Sequence, residues 1–287
     1  MIKNKIISIK EAIKKVKDNS TLGISGFSYM NPPMALVREI IKKNIKDLRL
    51  VSGPTSGIET DILIGAGCVK EVVTACVAFE KIAGAAPNFK KFAEQGKIKV
   101  WECDEAIWHI ALKAGIHNEP YLLWPGAIGT SIPELNKDLK QIKIKNKYYL
   151  RIPAIKLDLG IVHCGFADKN GNVDFSKNLF LKRQFCEQEI AKASEETIVS
   201  VEKIIPKVKN PIIKNAFVVR AEFGCHPGAS NGYYIPDLEH YKDYAKFCKE
   251  NKFDKYLDKY IFNINHEEYL EKIGKERLNK LRLKSSK

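Results

Sequence analysis

The residues best suited to chemistry fall at the ends of apolar runs. Glu105 follows the run KIKVWEC, in Cys103-Asp104-Glu105, just before the helical pattern AIWHIALKAG. Glu80 closes the run VVTACVAF. His226 stands between Cys225 and Pro227 in the glycine-rich stretch FGCHPGASNG. Residues 18–33, DNSTLGISGFSYMNPP, end an apolar run in Gly23 and Gly26 and continue through Ser25, Phe27 and Ser28 to Pro32-Pro33. A carboxylate at a strand end can act as an acid, a base or a nucleophile. Glycines let backbone N–H groups come close to a ligand. Each feature also has a plain structural alternative. Glu105 in a first helical turn complements the helix dipole, and the Gly23–Gly26 stretch can be an ordinary strand-to-helix turn. His226 can bind a substrate carboxylate or fix its own loop.

Several chemistries are excluded by what the motifs lack. No Gly-Lys-Ser/Thr follows Gly26, and a G-x-G-x-x-G pattern stops at Gly26, so neither a P-loop nor a dinucleotide fingerprint is present. The seven cysteines include no C-x-x-C pair, and no two histidines have H-x-x-x-H spacing. No metal site is expected. His109 and His163 lie on apolar runs and read as packed residues, whereas His117, His240 and His266 read as surface or helix-start residues. Most cysteines also lie in apolar runs, where a free thiol behaves as a small hydrophobe, which suggests a reduced, cytoplasmic protein. The N-terminus has no apolar signal-like core, and no run reaches about 18 apolar residues, so neither secretion nor a membrane span is expected.

The chain carries 48 Lys and Arg against 34 Asp and Glu, a net +14. Residues 137–156 hold seven cations and one acid. Interleaved acids elsewhere favour solvated faces, with a phosphorylated cofactor as the functional alternative. No nucleic-acid module is visible.

The elements that must position these residues alternate. Ser8-Ile9-Lys10-Glu11 fits a capping box opening a helix to about Lys17. TLGIS and LRLVSG read as strands, and VKEVVTACVAF and KIKVWEC as two more. MALVREIIKK after Pro33, ETDILI, PNFKKFAEQG and DEAIWHIALKAG read as helices. Later, LDLGIVHC and ETIVSVEKI read as strands, FVVRAEFGCHPGASNGYY as a strand followed by a glycine-rich loop, FLKRQFCEQEIAKAS as a helix, and the chain beyond Asp237 as helical. Strand and helix alternating about every 20 residues imply a mostly parallel sheet covered by helices. A single α/β domain over 1–287, with 237–287 as a helical C-terminal extension, is the simplest organisation.

The pattern resembles family I coenzyme A transferases. Asp18-Asn19, Leu22-Gly23-Ile24, Ser25-Gly26-Phe27 and Pro33 look like that family's signature, with Ser25 in place of a glycine and Asn31 departing at the Gly-x-Pro element. Residues 157–174 (LDLGIVHCGFADKNGNVD) resemble its strand and turn. Residues 223–234 (FGCHPGASNGYY) are similar to the Gly-x-His-Pro loop of the α subunit in the glutaconate branch, as are residues 197–205 and 266–278. The similarity runs from about Ser8 to about Leu281.

The resemblance implies the NagB/RpiA/CoA-transferase-like fold and a ping-pong reaction with coenzyme A as substrate and no permanently bound cofactor. In that family the β subunit carries a glutamate, in a Glu-Asn-Gly or Glu-x-Gly motif, that attacks an acyl-CoA thioester. No such motif occurs here; Ser194-Glu195-Glu196-Thr197 lacks the glycine. The implied protein is an α subunit working in an αβ hetero-oligomer, with Gly23, Ser25, Gly26, Phe27, Ser28, Glu80 and His226 near the substrate or CoA. A related branch, which hydrolyses CoA esters of steroid-ring fragments, resembles this chain in carrying acids near Glu80 and Glu105. It implies an alternative in which Glu105 is a general base. A third expectation is a non-enzymatic ligand sensor, since the superfamily fold also serves sugar-responsive repressors, although no helix-turn-helix precedes Thr21.

Overall fold

The computed structural model describes residues 4–175 and 185–283. The first half alternates as its patterning predicts: α1 (Ile9–Ile13), β1 (Thr21–Ile24), α2 (Met34–Lys42), β2 (Leu48–Ser52), a two-residue β3 (Thr55–Ser56), α3 (Ile58–Gly65), β4 (Val69–Thr74), a two-residue β5 (Cys76–Val77), α4 (Pro87–Glu94), β6 (Lys99–Glu102) and α5 (Glu105–Ile116). A smaller unit follows, with β7 (Tyr121–Trp124), α6 (Ile132–Leu135), β8 (Lys140–Ile144) and β9 (Lys147–Pro153). The chain returns through β10 (Leu157–Ala167), a short β11 (Val173–Asp174), α7 (Glu187–Ala193), β12 (Ser194–Ile204) and β13 (Phe217–Arg220). It then runs through α8 (Leu238–Lys249), α9 (Phe253–Tyr260), α10 (His266–Ile273) and α11 (Lys275–Leu281).

The main sheet has the order β13-β12-β10-β1-β2-β4-β6, all parallel, with β11 added antiparallel to β10. Both faces are covered, so neighbouring strand residues feed opposite cores. Leu50 and Val72 join the layer under α2, α3, α8 and α9, whereas Val51 and Val73 join the layer under α5 and α7. This is why the strands read as continuous apolar runs. Gly23 and Gly160 stand side by side in the β1–β10 register. A Cβ on Gly23 would lie 2.5 Å from Leu157 Cδ1 and 2.9 Å from Ile190 Cγ2, and one on Gly160 would lie 2.5 Å from Ser194 Oγ. The paired glycines admit α7 onto the sheet.

Some expected boundaries move. The run VKEVVTACVAF breaks at Ala75, because Ala75 and Cys76 both donate their N–H groups to the Pro54 carbonyl, 3.0 Å each, as the chain steps to a second small sheet. α1 stops at Ile13, although its Ser8–Glu11 capping box forms as the sequence implies. Of the helix expected over 180–194, α7 accounts for the second half; residues 180–184 lie outside the described residues. The lysine-rich stretch 137–156 is more than a solvated face. It supplies β8 and β9 of a three-stranded antiparallel sheet, order β7-β9-β8, turned at Lys145 and Asn146, both at positive φ. The helices beyond Asp237 pack through Tyr241, Tyr244, Tyr256 and Tyr269 into the layer formed by α2 and α3. The seven cysteines are unpaired. Among the described residues no helix is long and apolar enough to cross a membrane.

Candidate functional site

From β1 the sheet grows one way through β2, β4 and β6, and from β10 the other way through β12 and β13. The carboxyl ends of β1 and β10 therefore flank a topological switch point, where open α/β sheets take ligands. β1 delivers residues 25–31 to this place. Ser25 Oγ donates to the Asn31 carbonyl at 3.0 Å and accepts from the His163 N–H at 3.2 Å. Asn31 Nδ2 donates to Glu187 Oε1 at 2.9 Å, which ties the loop to the start of α7. The Phe27 ring stacks on Phe185 with centroids 4.1 Å apart. Ser28 and Asn31 both adopt left-handed backbone, φ 55° and 51°, a conformation that costs energy in non-glycine residues and persists only where neighbours enforce it.

Three glycines let the neighbouring segments close on the loop. A Cβ on Gly53 would collide with the Gly26 carbonyl, and one on Gly57 with the Ser28 carbonyl. Gly26 itself has φ 146°, and its missing side chain leaves room for the Glu59 carboxyl. The Ser28 N–H donates to the Thr55 carbonyl at 2.7 Å. The loop is thus pressed between β2's exit and α3. Gly53 and Gly57 bracket the stretch SGPTSG after a strand, a signal comparable to that of residues 18–33 but not singled out from sequence.

Glu59, in the first turn of α3, is fully buried. Its Oε1 accepts the Gly57 N–H at 2.8 Å, and its Oε2 has no hydrogen-bond partner. Burial pushes its carboxyl up to about 7, against the pull of the backbone N–H groups. Asp61, also fully buried, is pushed up to about 6 by the same cause. It accepts from Tyr244 Oη at 2.7 Å, Asn88 Nδ2 at 3.1 Å and the Phe89 N–H at 2.7 Å.

Of the acids picked out from sequence, Glu80 bonds to this loop and Glu105 faces His109 on its own helix. Glu80 is exposed, at φ 44°, and accepts a short hydrogen bond from Ser28 Oγ. Beside it, Tyr29 Oη donates to the Phe79 carbonyl at 2.5 Å, and its hydroxyl is raised first by burial and then by the Glu80 charge. Glu105 is the first residue of α5, after the Asp104 cap. Its Oε1 lies 3.7 Å from His109 Nε2, and His109 Nδ1 lies 2.6 Å from Glu189 Oε2 on α7. The hydrogen bond to Glu189 is the largest cause holding the His109 imidazole above its ordinary value. Helix periodicity places residues 105 and 109 on one face; Glu189 could not be paired with them from sequence. Glu187 and Glu189 share the start of α7 but reach different groups, Asn31 and His109.

Gly23 lies inside β1 rather than on the loop. His226 is fully buried, with Nδ1 2.7 Å from Tyr269 Oη and Nε2 3.0 Å from Asp237 Oδ2. Burial holds it below its ordinary value, so the ring is neutral near pH 7. The loop that carries it is zipped to the glycine loop: the Asn31 N–H donates to the Ala229 carbonyl at 2.8 Å and the Ala229 N–H to the Tyr29 carbonyl at 2.7 Å. His240 and His266, expected at the surface or a helix start, are both buried, and both stand in the first turn of a helix, α8 and α10. Aromatic packing around His240 draws that ring in, and Arg38 holds His266. Possible ligand atoms of His226, Asp237 and His240 converge within 4.8 Å of one another. Arg277 fits them better than a metal: its Nε and a terminal nitrogen engage both Asp237 oxygens at 2.6 and 2.8 Å. A metal there would face that guanidinium. Burial alone would raise the Asp237 carboxyl, but the hydrogen bonds from His226 and Arg277 outweigh it and hold it well below the usual range.

The coenzyme A transferase family model matches residues 6–216. The chain is 28% identical to the A chain of glutaconate CoA-transferase from Acidaminococcus fermentans, over 98% of this chain and 95% of that one. It is 26% identical to the cholesterol ring-cleaving hydrolase IpdA subunit of Rhodococcus jostii, over 86% of this chain and 88% of that one. The crystal structure of glutaconate coenzyme A-transferase from Acidaminococcus fermentans superposes with a TM-score of 0.88 at 26% identity, covering 98% of this chain and 96% of that chain. The strand–glycine–helix loop at the switch point is therefore set in a shared scaffold, and the chain belongs to the coenzyme A transferase family.

Proposed function

We propose that this chain is the α subunit of a two-chain CoA-transferase, moving CoA between an acyl-CoA and a free carboxylic acid. The observation that carries the reading is the end-to-end likeness to one chain of a glutaconate CoA-transferase. In the reaction, a glutamate carboxylate of a β partner attacks the thioester carbonyl and CoA thiolate leaves, giving an acyl-glutamyl anhydride. The thiolate then attacks the glutamyl carbonyl and releases the first acid. A second carboxylate takes the acyl position by the reverse steps. The part of this chain is to present the Gly26 backbone N–H to a carbonyl oxygen as negative charge builds on it, since the Phe27 and Ser28 N–H groups donate to the Met30 and Thr55 carbonyls and hold the loop's shape. Co-expression with the neighbouring reading frame tests this. Exchange from acetyl-CoA to a panel of dicarboxylates and oxo acids should need both chains. Exchange by this chain alone, or a covalent CoA adduct on it, would refute the assignment of roles.

A second reading is CoA-ester ring opening by hydrolysis, with Glu105 as general base. It is favoured by the Glu105–His109–Glu189 arrangement, which gives a partly exposed carboxylate a neighbouring imidazole to pass a proton to. Glu105→Gln should then abolish turnover of a cyclic β-keto acyl-CoA while leaving its binding intact; a fully active variant removes this reading.

A further inference from the structure

Among the described residues, Glu59 is the carboxyl that backs the glycine loop at Gly26. Its side chain fills the space where a Gly26 Cβ would stand, and its Oε1 holds the Gly57 N–H. Gly57 in turn lies against the Ser28 carbonyl. One carboxyl thus sets the distance between the two backbone segments that wall the loop. Residues of different types could fill this space. A buried acid, with Oε2 left unpartnered, is a costly choice, and the cost calls for a reason.

The groups facing Glu59 are Asp61 from its own helix, the Tyr241 hydroxyl from α8 and the Cys186 thiol at the start of α7. None of these three can be a cation, and each opposes a negative charge on Glu59 or is neutral. The backbone N–H groups of Gly57 and Glu59 are the groups that favour the anion. A charged Glu59 would lie against Gly26, whose N–H the proposed reaction uses to hold an oxyanion. It would oppose the negative charge that builds there. A neutral carboxylic acid of the same shape would not.

We propose that Glu59 is the positioning residue of this site, a carboxylic acid that supports the Gly26–Ser28 loop in its neutral form and disables the loop when it ionises. The inference rests on the transferase reading for its kinetic consequence and on the described geometry for its structural one. Glu59 does not touch substrate; it acts through Gly26 and Gly57. The shift of its carboxyl to about 7 puts the change of state within the range in which an enzyme can be assayed.

The test uses the two-chain enzyme with Glu59→Gln, which keeps the shape and the acceptor for the Gly57 N–H, and with Glu59→Ala, which loses both. In the wild type, kcat/KM for exchange should fall tenfold or more from about pH 6 to about pH 8.5. Glu59→Gln should hold the low-pH rate across that range, and Glu59→Ala should be slow throughout. A Gln variant that follows the wild-type profile, or an Ala variant as active as Gln, overturns the proposal. A second readout needs no turnover. The infrared carboxylic-acid band that disappears in Glu59→Gln should titrate near neutral pH, together with the hydrogen-exchange rate of the Gly57 amide. If there is no exchange activity but this coupled titration is found, the transferase reading fails and the support role of Glu59 stands. A Glu59 already ionised at about pH 5, or a Gly57 amide indifferent to its state, overturns it.

Discussion

Replacing Asp237 by Asn should separate the charge of this residue from its shape. Asp237 is 4% exposed and holds four donors: the His240 N–H at 3.1 Å, His226 Nε2 at 3.0 Å, and Arg277 through Nε and a terminal nitrogen. Asn is nearly isosteric and caps helices about as well as Asp, so the bond to His240 survives. The amide nitrogen would then face Arg277 Nε and the His226 ring. His226 can change tautomer, because the Tyr269 hydroxyl accepts as readily as it donates. Arg277 Nε has no such remedy and must turn to water, which its 38% exposure allows. Losing a hydrogen bond to a charged group costs about 1.5–3 kcal/mol, and the access to water favours the lower half of that range. A loss of about 2 kcal/mol lowers the melting temperature by about 3 °C in a chain of this length. The carboxyl is held below its unfolded value, so its contribution is present above about pH 4 and is lost as pH falls toward the folded value. Thermal melts at several pH values check this. The gap between variant and wild type should be full at neutral pH and should close in acid. Equal melting points at neutral pH, or a gap that persists in acid, would refute the reasoning.

Three further outcomes follow from the geometry. Gly23→Val should cost about 1–3 kcal/mol by overpacking against Leu157 and Ile190, read by denaturant unfolding; an unchanged midpoint would show that α7 is not seated on the glycine pair. Glu189→Gln should lower the His109 pKa in a proton NMR titration, because Glu189 is the largest cause of its rise. The stabilisation from that pair is present below about pH 6.5 and fades as pH rises through the folded value, so the variant's deficit in stability should shrink toward alkaline pH. Arg38→Lys should destabilise by about 2 kcal/mol or more, since Lys cannot both lie over the Tyr269 ring, 3.8 Å away, and reach the His226 carbonyl and His266; equal thermal stability would contradict this.

The main sheet is legible in the sequence because its strands are buried on both faces, and because glycine and proline punctuate the helices between them. Pro87 and the Ser8–Glu11 pair mark starts that the structure keeps. The unit β7–β9 is not legible. Its exposed face is lysine-rich, and its hairpin turns on Lys145 rather than on an Asn-Gly pair, so neither periodicity nor turn chemistry stands out. The chain-local features, Ser25 to Ser28, Glu80 and Glu105, can be picked out as candidates from the sequence. What sequence does not supply are contacts between distant segments. Glu59 reads as one acid of a short helix, and only the packing of Gly26 and Gly57 around it reveals its burial. Glu189 and His109 are 80 positions apart, and the register of α5 against α7 is what joins them. His226 is visible as a loop histidine, but its partners Asp237 and Tyr269 come from the helical region whose placement the sequence leaves open.

The zipping of the 221–231 loop to the glycine loop has a consequence for how the chain is made. The loop is anchored on its far side by Tyr269 and, through Arg38 and Asp237, by His266 and Arg277. Tyr269, His266 and Arg277 leave the ribosome after the whole sheet has been synthesised. The glycine loop is consequently among the last parts to be secured, with its final brace arriving from α10 and α11. A nascent chain halted before residue 266 should present a formed sheet and an unbraced site, so recruitment of any partner that reads this loop is coupled to the emergence of those two helices. Limited proteolysis of such halted chains would show it, with cutting at residues 223–231 that disappears once residues 266–277 have emerged.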